Sequence, residues 1–568
     1  MSSISIIDKK VKDFIKRAGD GESVYIYEVR DAFEEEGSSV ECIVETTTNE
    51  HKKWQIPLPK IKGKKEKEFV SNYFFSTIYN IISTYGGKEM TLNLPNGELH
   101  IRELCNALND VFQVNRNRID RSGYGKCLNV TDRINAAFGH SPFKFNISES
   151  SKNYVNKAKA GTYNANAEKD AVSLFQRTVK ATSSLVLIGL DIGGTDIKAV
   201  SVVNGKISSF TEFDWNPTRM IKIEQMTDSI KSVMNEMCAK LGKSNIPDGV
   251  GVGFPDVVIM NKIVGGETFK TRGIRNKSQD YESEFAKLLD LNEILLSYCK
   301  PNAVINMTND GSLAAYTAAV ELAHSNRGVD VTEGVFAHTL GTELGSGWID
   351  ENGEIPQIPL EIYNCVIDLG NYPARKFKPF DLRSTLNFNT EIAGTMQKYA
   401  SQSGAYRLAL EYFKKDAPGL YNELFTRGFI EEKNNGVYVI VSPKDMRKPL
   451  LEYIMKLADE GEPQAEKVFK EIGGYLAATL RETEFLLSPK AKKRILYGRF
   501  VKSQKCLKLM QEGVKQSTCP PASPSVFSAG DDTLAYTPLM RSLKDNPDYT
   551  VAQFGQAIGA VYFAAFAK

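Results

Sequence analysis

The chain has 568 residues, of which 42% are hydrophobic and 25% charged, with a net charge of +2. That length calls for more than one domain, and the even charge balance excludes both the basic footprint of a nucleic-acid binder and a strongly acidic surface. Eight scattered cysteines without a CxxC pair exclude a disulfide scaffold, no apolar stretch is long enough for a bilayer span, and the start, Met1 to Arg17, lacks the apolar core of a secretion signal, so the expected location is cytoplasmic.

Residues 1–145 mix short helical and strand patterns and read as an α+β domain of unknown role. Val11 to Ala18 and Phe69 to Tyr85 carry helical spacing, Thr91 to Leu99 reads as a hairpin about Pro95-Asn96-Gly97, and Leu104 to Val114 reads as a helix. The lysines between Lys60 and Lys67 are interleaved with Glu66 and have no aromatic neighbours, which suits a solvated loop. Residues 1–80 show no three-helix DNA-binding unit, and Trp54 to Pro59 contains two prolines. The polar run 146–166 reads as a linker and Ala167 to Lys180 as a connecting helix, so that 146–184 joins the two parts of the chain.

From Leu185 the pattern becomes α/β. Leu185 to Leu190 is a nearly continuous apolar run, as in a buried strand. It ends in Asp191, then Gly193, Gly194 and Thr195. Successive amides in such a glycine turn can face an anion, and Asp191 places a carboxylate where hydrated Mg²⁺ can be held. A second strand, Ile197 to Val203, ends in Asn204-Gly205, the favoured two-residue hairpin turn. Phosphate would then be bound in a β-hairpin, and no GxxxxGK[ST] loop is present here. Helical patterns follow at Ile221 to Leu241, Tyr281 to Leu289 and Gly311 to Ala323. Gly249 to Asp256 closes another apolar strand. Lys270, Arg272 and Arg275 read either as a solvated basic loop or as contacts to substrate or phosphate. Asn302 to Met307 reads as a strand, and Asp310 stands at the start of the next helix, where a carboxylate sits among unpaired amides. It reads either as a helix cap or as a proton acceptor.

Ala337 to Gly347 is a second run rich in Gly, Thr and Ser. Gly334 to Thr339 precedes it as a strand, and Trp348-Ile349 begins another, so the run reads as a turn chemically like the first. Two such hairpins about 150 residues apart suggest two lobes closing on one polyphosphate. Met455 to Leu487 reads as one long helical stretch. The strand Arg494 to Tyr497 leads through Gly498 to a helix at Lys505 to Gln516, a loop at Pro520 to Pro524 and a closing helix at Val551 to Ala567.

The run DIGGTDIK resembles the first phosphate loop of sugar kinases with an actin-like, hexokinase-like ATPase fold, and in particular the ROK family. The resemblance spans about 185–568 and does not reach residues 1–180. It implies an α/β, two-lobed fold with ribonuclease-H-like lobes, one formed by 185–320 plus about 545–568 and the other by 321–544, beside the additional α+β N-terminal domain. It implies ATP-dependent phosphorylation of a hydroxyl on a sugar or sugar-like polyol, with ATP and Mg²⁺ as cofactors. Asp310 takes the role of general base. Asp191, Gly193, Gly194, Thr195, Lys198, Gly341, Thr342 and Gly498 take the phosphate and nucleotide. Asn309, Gly253, Asp256, Glu361, Asn364 and Gln397 take the substrate. The sequence leaves open which sugar and which hydroxyl are used, whether ATP or polyphosphate is the donor, and whether the chain is a homodimer. A sugar-responsive ROK-type regulator or a non-sugar ATPase are the alternative activities; no nucleic-acid or membrane partner is expected.

The chain departs from the family at its zinc loop. Asn364 stands where the family has a histidine, Thr395 where it has a cysteine, and Gln397 where it has a glutamate; Thr385 to Ile392 contains no cysteine. Zinc sites need His and Cys ligands, so no structural zinc is expected. Phe388, Ile392 and Met396 are the expected anchors of this loop.

Overall fold

In a computed structural model the described residues are 6–35, 38–94, 99–148, 168–265, 270–325, 331–341, 343–371, 380–433, 436–439, 446–491, 493–517, 526–528 and 534–566. Thr342, the turn at Pro95 to Gly97, most of the linker 146–166 and the loop at Pro520 to Pro524 lie outside them.

The N-terminal region builds a four-stranded sheet in the order β2-β1-β3-β4 from β1 (Ser39–Glu45), β2 (His51–Pro57), β3 (Glu89–Asn93) and β4 (Lys144–Ser148). β1 pairs antiparallel with β2 and β3, and β4 joins β3 in parallel. The helix Lys64–Tyr85 is buried on almost every face from Phe69 onward, as an all-round apolar helix must be. Its first turn is formed by Lys64 to Lys67, which were expected to lie in a loop. The hairpin expected at Thr91 to Leu99 is also corrected. β3 is present, but Leu99 opens the helix Leu99–Asn106, because Ile101, Leu104 and Cys105 recur at helical spacing on its buried face.

The first α/β unit carries the five-stranded sheet β11-β8-β5-β6-β7. Its strands are β5 (Val186–Ile192), β6 (Asp196–Val203), β7 (Lys206–Asp214), β8 (Gly249–Phe254) and β11 (Val304–Asn309); a small pair, β9 (Val258–Ile259) and β10 (Lys262–Ile263), follows β8. β5, β6 and β7 form an antiparallel meander, while β8 and β11 add in parallel. This is the order expected of a ribonuclease-H-like lobe. At the β6–β7 turn Asn204 and Gly205 have φ of 48° and 75°, the left-handed pair that a tight hairpin needs. The C-terminal helix Val551–Ala565 lies on this sheet so closely that a side chain at Gly189 or Gly251 would overlap the backbone of Ala557 or Ala560.

The second α/β unit has the sheet β13-β12-β16-β17, with β12 (Val335–Leu340), β13 (Leu344–Ile349), β16 (Arg494–Gly498) and β17 (Val526–Ser528); β14 (Ile430–Lys433) and β15 (Gly436–Val439) form a separate hairpin. The stretch expected as one helix is two, Arg447–Asp459 and Pro463–Leu487. Proline cannot sit inside a helix but fits its first turn, and Pro463 opens the second helix.

The N-terminal region and the second unit share one continuous apolar core, running from Ile7 to Phe145 and from Phe336 to Val514. Polar groups cross the same boundary. Arg30 and Glu482 form a buried ion pair at 2.7 Å, and Asn80 donates to Glu482 Oε1 and to the Val366 carbonyl, each at 2.8 Å. The helix Cys127–Ala137 faces the first unit, where Arg133 grips both oxygens of Glu282 at 2.7 and 2.8 Å and Arg118 adds a bond at 2.7 Å. The N-terminal region therefore touches both units. Among the described residues no helix is long and apolar enough to cross a membrane.

Candidate active site

A cavity of about 490 Å³ opens between the two units, a volume suited to a small organic ligand. Asp310 enters it from the junction of β11 with the helix Asp310–Leu322. Asn309 is the cap of that helix, its Oδ1 accepting the Gly311 amide at 2.9 Å, while its Nδ2 donates to the Asp256 carbonyl at 2.9 Å. This cap leaves the Asp310 carboxylate 46% exposed toward the cavity. The Gly311 amide also donates to Asp310 Oδ1 at 2.8 Å, so Asp310 shares the cap with its neighbour while its carboxylate stays open to the cavity.

Asp191 reaches the same cavity from the end of β5. Burial, then the charge of Asp310, pushes its carboxyl up to about 7, while Lys198 pulls the other way. A second carboxylate so placed raises the affinity of Asp191 for a proton or a cation. Part of the first glycine turn is bonded within itself. The Gly193 amide donates to the Asp196 carbonyl at 2.8 Å, the Thr195 hydroxyl donates to Asp196 Oδ2 at 3.2 Å, and Lys198 pairs with Asp196 and Glu212. Gly193, Gly194, Thr195 and Lys198 are not among the residues lining the cavity.

The second hairpin is β12 and β13 joined at Gly341 to Glu343. β13 begins at Leu344 rather than at Trp348, so Gly345, Ser346 and Gly347 are strand residues and not the expected turn. Their small size serves packing. A side chain at Gly347 would overlap the Gly311 carbonyl, and one at Gly311 would overlap that of Ser346. The hairpin is thereby pressed onto the first turn of the helix that carries Asp310. Gly341, Glu343 and Ser346 line the cavity. Behind Ser346, His338 Nδ1 lies 2.9 Å from its hydroxyl; burial, helped by Arg494, holds that imidazole down at about 3, so it is neutral.

Glu361 and Asp256 also line the cavity, both largely buried. The Tyr363 hydroxyl donates to Glu361 Oε1 at 3.0 Å and Asn364 Nδ2 lies 3.3 Å from Oε2. Asn364 and Gln397, expected to touch substrate, stand behind the wall instead. Gln397 is fully buried, donates to Glu343 Oε2 at 2.9 Å and accepts the Phe388 amide at 2.9 Å. Asn364 accepts from Asn387 at 3.0 Å. They hold Glu361 and Glu343 in place. Gly253 packs against Leu313, and Gly498, with φ of 95°, packs against the end of β12; neither lines the cavity.

The segment Thr385 to Gln397 is organised by Asn387, which donates to Asn364 and Thr395 and accepts the amides of Asn389 and Thr390. Met396 is fully buried and Ile392 partly so, but Phe388 is 47% exposed and lines the cavity rather than anchoring the loop. The sequence reading missed Glu343, Tyr363, Asn389 and Gln556. Only Glu343 left a signal there, as a lone carboxylate in a run of small residues.

Among the described residues five carboxylates line the cavity, those of Asp191, Asp256, Asp310, Glu343 and Glu361, against one lysine, Lys270. No cluster of three or more His, Cys, Asp or Glu suited to a metal occurs among the described residues. Magnesium needs no such cage, since it keeps its waters and is held by one or two carboxylates together with substrate phosphates. The crowded pair Asp191 and Asp310 fits that requirement.

No protein-family model matches the chain, and no curated protein matches it. Among solved structures it is similar to a ROK family glucokinase from Streptomyces griseus in complex with glucose and AMPPNP, at 18% identity and a TM-score of 0.39, covering 67% of this chain and 98% of that one. It is similar to a ROK hexokinase from Thermus thermophilus, at 13% identity and a TM-score of 0.40, covering 67% and 97%. It is also similar to a ROK family transcriptional regulator, a homologue of the E. coli MLC protein, at 12% identity and a TM-score of 0.42, covering 67% and 80%. The family named from the sequence motifs is the one to which these structures belong.

Proposed function

We propose that the protein transfers a phosphoryl group from ATP to a hydroxyl of a sugar or sugar-like polyol. The observation that carries this reading is the convergence of three distant segments on one cavity. Asp310 stands at the head of a helix, Asp191 at the end of β5 and Gly341 at the tip of the second hairpin. Phosphoryl transfer to an alcohol asks for a positioned proton acceptor, a place for the phosphates and a means of offsetting their charge. Asp310 accepts the proton of the attacked hydroxyl, while Asn309, Asp256 and Glu361 orient the acceptor by hydrogen bonds. Asp191 is the residue to hold Mg²⁺, which offsets phosphate charge when bound. The Gly341 hairpin receives phosphate oxygens, and closure of the two units excludes water.

The test is ADP release from the purified protein with a panel of hexoses, amino sugars and cyclitols, each with wild type and Asp310→Asn. Acceptor-dependent release that Asp310→Asn abolishes supports the reading. Sugar binding with no ADP release would make the chain a sensor, and acceptor-independent ATP turnover would make it an ATPase.

A further inference from the structure

We infer that Lys270 is a catalytic residue, which meets the charge of the phosphoryl group as it passes to the acceptor. The inference rests on the kinase reading and adds a residue to it. Three observations converge. Lys270 is the one lysine or arginine among the described residues that line a cavity holding five carboxylates. Its Nζ lies 4.0 Å from Asp310 Oδ2, beyond hydrogen-bond reach. It is held instead by donating to the Pro255 carbonyl at 3.1 Å. An ammonium has three donors, so this bond fixes the group without exhausting it. Its stem also lies beside the first glycine turn, where a side-chain carbon at Gly194 would stand 3.5 Å from Lys270 Cε.

Lys270 thus stands on the wall of the cavity beside the proton acceptor, its stem steadied next to the turn after β5. In the transfer step the acceptor oxygen bonds to the γ-phosphorus and its proton goes to Asp310. The bond from the γ-phosphorus to the bridging oxygen breaks, and its electron pair leaves with ADP. Charge builds on the oxygens in flight, and a cation preplaced there acts most strongly in the transition state. The other two basic residues of this segment do not share the position. Arg275 stacks on Tyr281 at 5.4 Å, and neither it nor Arg272 lines the cavity.

The experiment compares wild type, Lys270→Met and Lys270→Arg. Lys270→Met should lower kcat by about 10²–10³-fold, the usual worth of one preplaced donor, with KM for ATP and acceptor within about threefold. Lys270→Arg should recover at least part of that loss. Calorimetry supplies a readout without turnover: aluminium fluoride should tighten MgADP binding in the presence of acceptor for wild type and not for Lys270→Met, with MgADP alone unchanged. A kcat within threefold of wild type, a rise in KM for ATP at unchanged kcat, or undiminished aluminium fluoride tightening would each overturn the inference while leaving the kinase reading in place. A wild type that phosphorylates no acceptor would overturn both.

Discussion

The two glycine hairpins look alike in the sequence and differ in the fold. The turn between β5 and β6 spends its polar groups on itself, with Gly193, Thr195 and Lys198 all tied to Asp196. The turn between β12 and β13 also bonds within itself, the Gly341 amide donating to the Glu343 carbonyl at 3.3 Å, but it faces the cavity, carries the carboxylate of Glu343, and is followed by a strand packed onto the helix of Asp310. A run of small residues thus has two separable uses. It can free amides for a ligand, or it can let backbones meet. Only contacts distinguish them.

The largest expected effect lies at the head of the helix onto which the second hairpin packs. Asp310→Asn should lower kcat by about 10²–10⁴-fold, the range for a positioned base, with nucleotide affinity nearly unchanged because the exchange is isosteric. Single-turnover kinetics with separate binding titrations check this, and near-normal turnover would remove Asp310 from the mechanism.

Within the second hairpin, packing and binding should separate. Gly347→Val should cost about 1–3 kcal/mol, the range for forcing atoms into a packed site, and lower the melting temperature. Gly341→Val, where an added carbon meets nothing closer than 3.9 Å, should leave the melting temperature alone and weaken ATP binding by about tenfold, roughly 1.4 kcal/mol. If both variants lose stability equally, the distinction fails.

Asp191 gives the first hairpin a pH signature. Its carboxyl is raised to about 7 from about 4 in an unfolded chain, so the folded state holds the proton more tightly. The associated stability is complete below about pH 4 and is lost as pH rises through about 7. Denaturant midpoints of the apoprotein should therefore contain a downward contribution across that window which Asp191→Asn removes; parallel profiles for the two proteins would contradict it.

The smallest effect should come from Glu343→Gln. Removing a charge beside the phosphates should tighten ATP binding in the absence of Mg²⁺ by about fivefold, consistent with about 1 kcal/mol between charges 4 Å apart in water. Equal affinities would mean that phosphate does not approach this turn.

Much of the first unit was legible because its signals are local. Apolar runs mark β5 and β8, Asn204-Gly205 marks a turn, and an Asn-Asp pair after a strand marks a capped helix. What escaped depends on distance in the chain. Nothing local in Asn364 or Gln397 tells whether an amide touches a ligand or buttresses the residue that does; that follows from where Glu361 and Glu343 come to lie. Gly345 to Gly347 were misread because glycine is as useful to a tight helix–strand contact as to a turn. The helix Lys64–Tyr85 was visible from Phe69 onward as helical spacing, but its all-round burial and its partners were not.

That last helix has a consequence in time. The ion pair between Arg30 and Glu482 joins residues 452 apart, and the core around it unites segments equally remote. A ribosome makes the N-terminal region long before the helix Pro463–Leu487. Phe69, Tyr73, Tyr79 and Tyr85 of the helix Lys64–Tyr85 meet rings of the N-terminal region itself, but until the later helix arrives the face around Asn80 has no permanent neighbour. Long-range closure is slow and leaves apolar surface uncovered meanwhile. The nascent chain is therefore at its most vulnerable between those two moments, when chaperone capture and misassociation compete for the same exposed face.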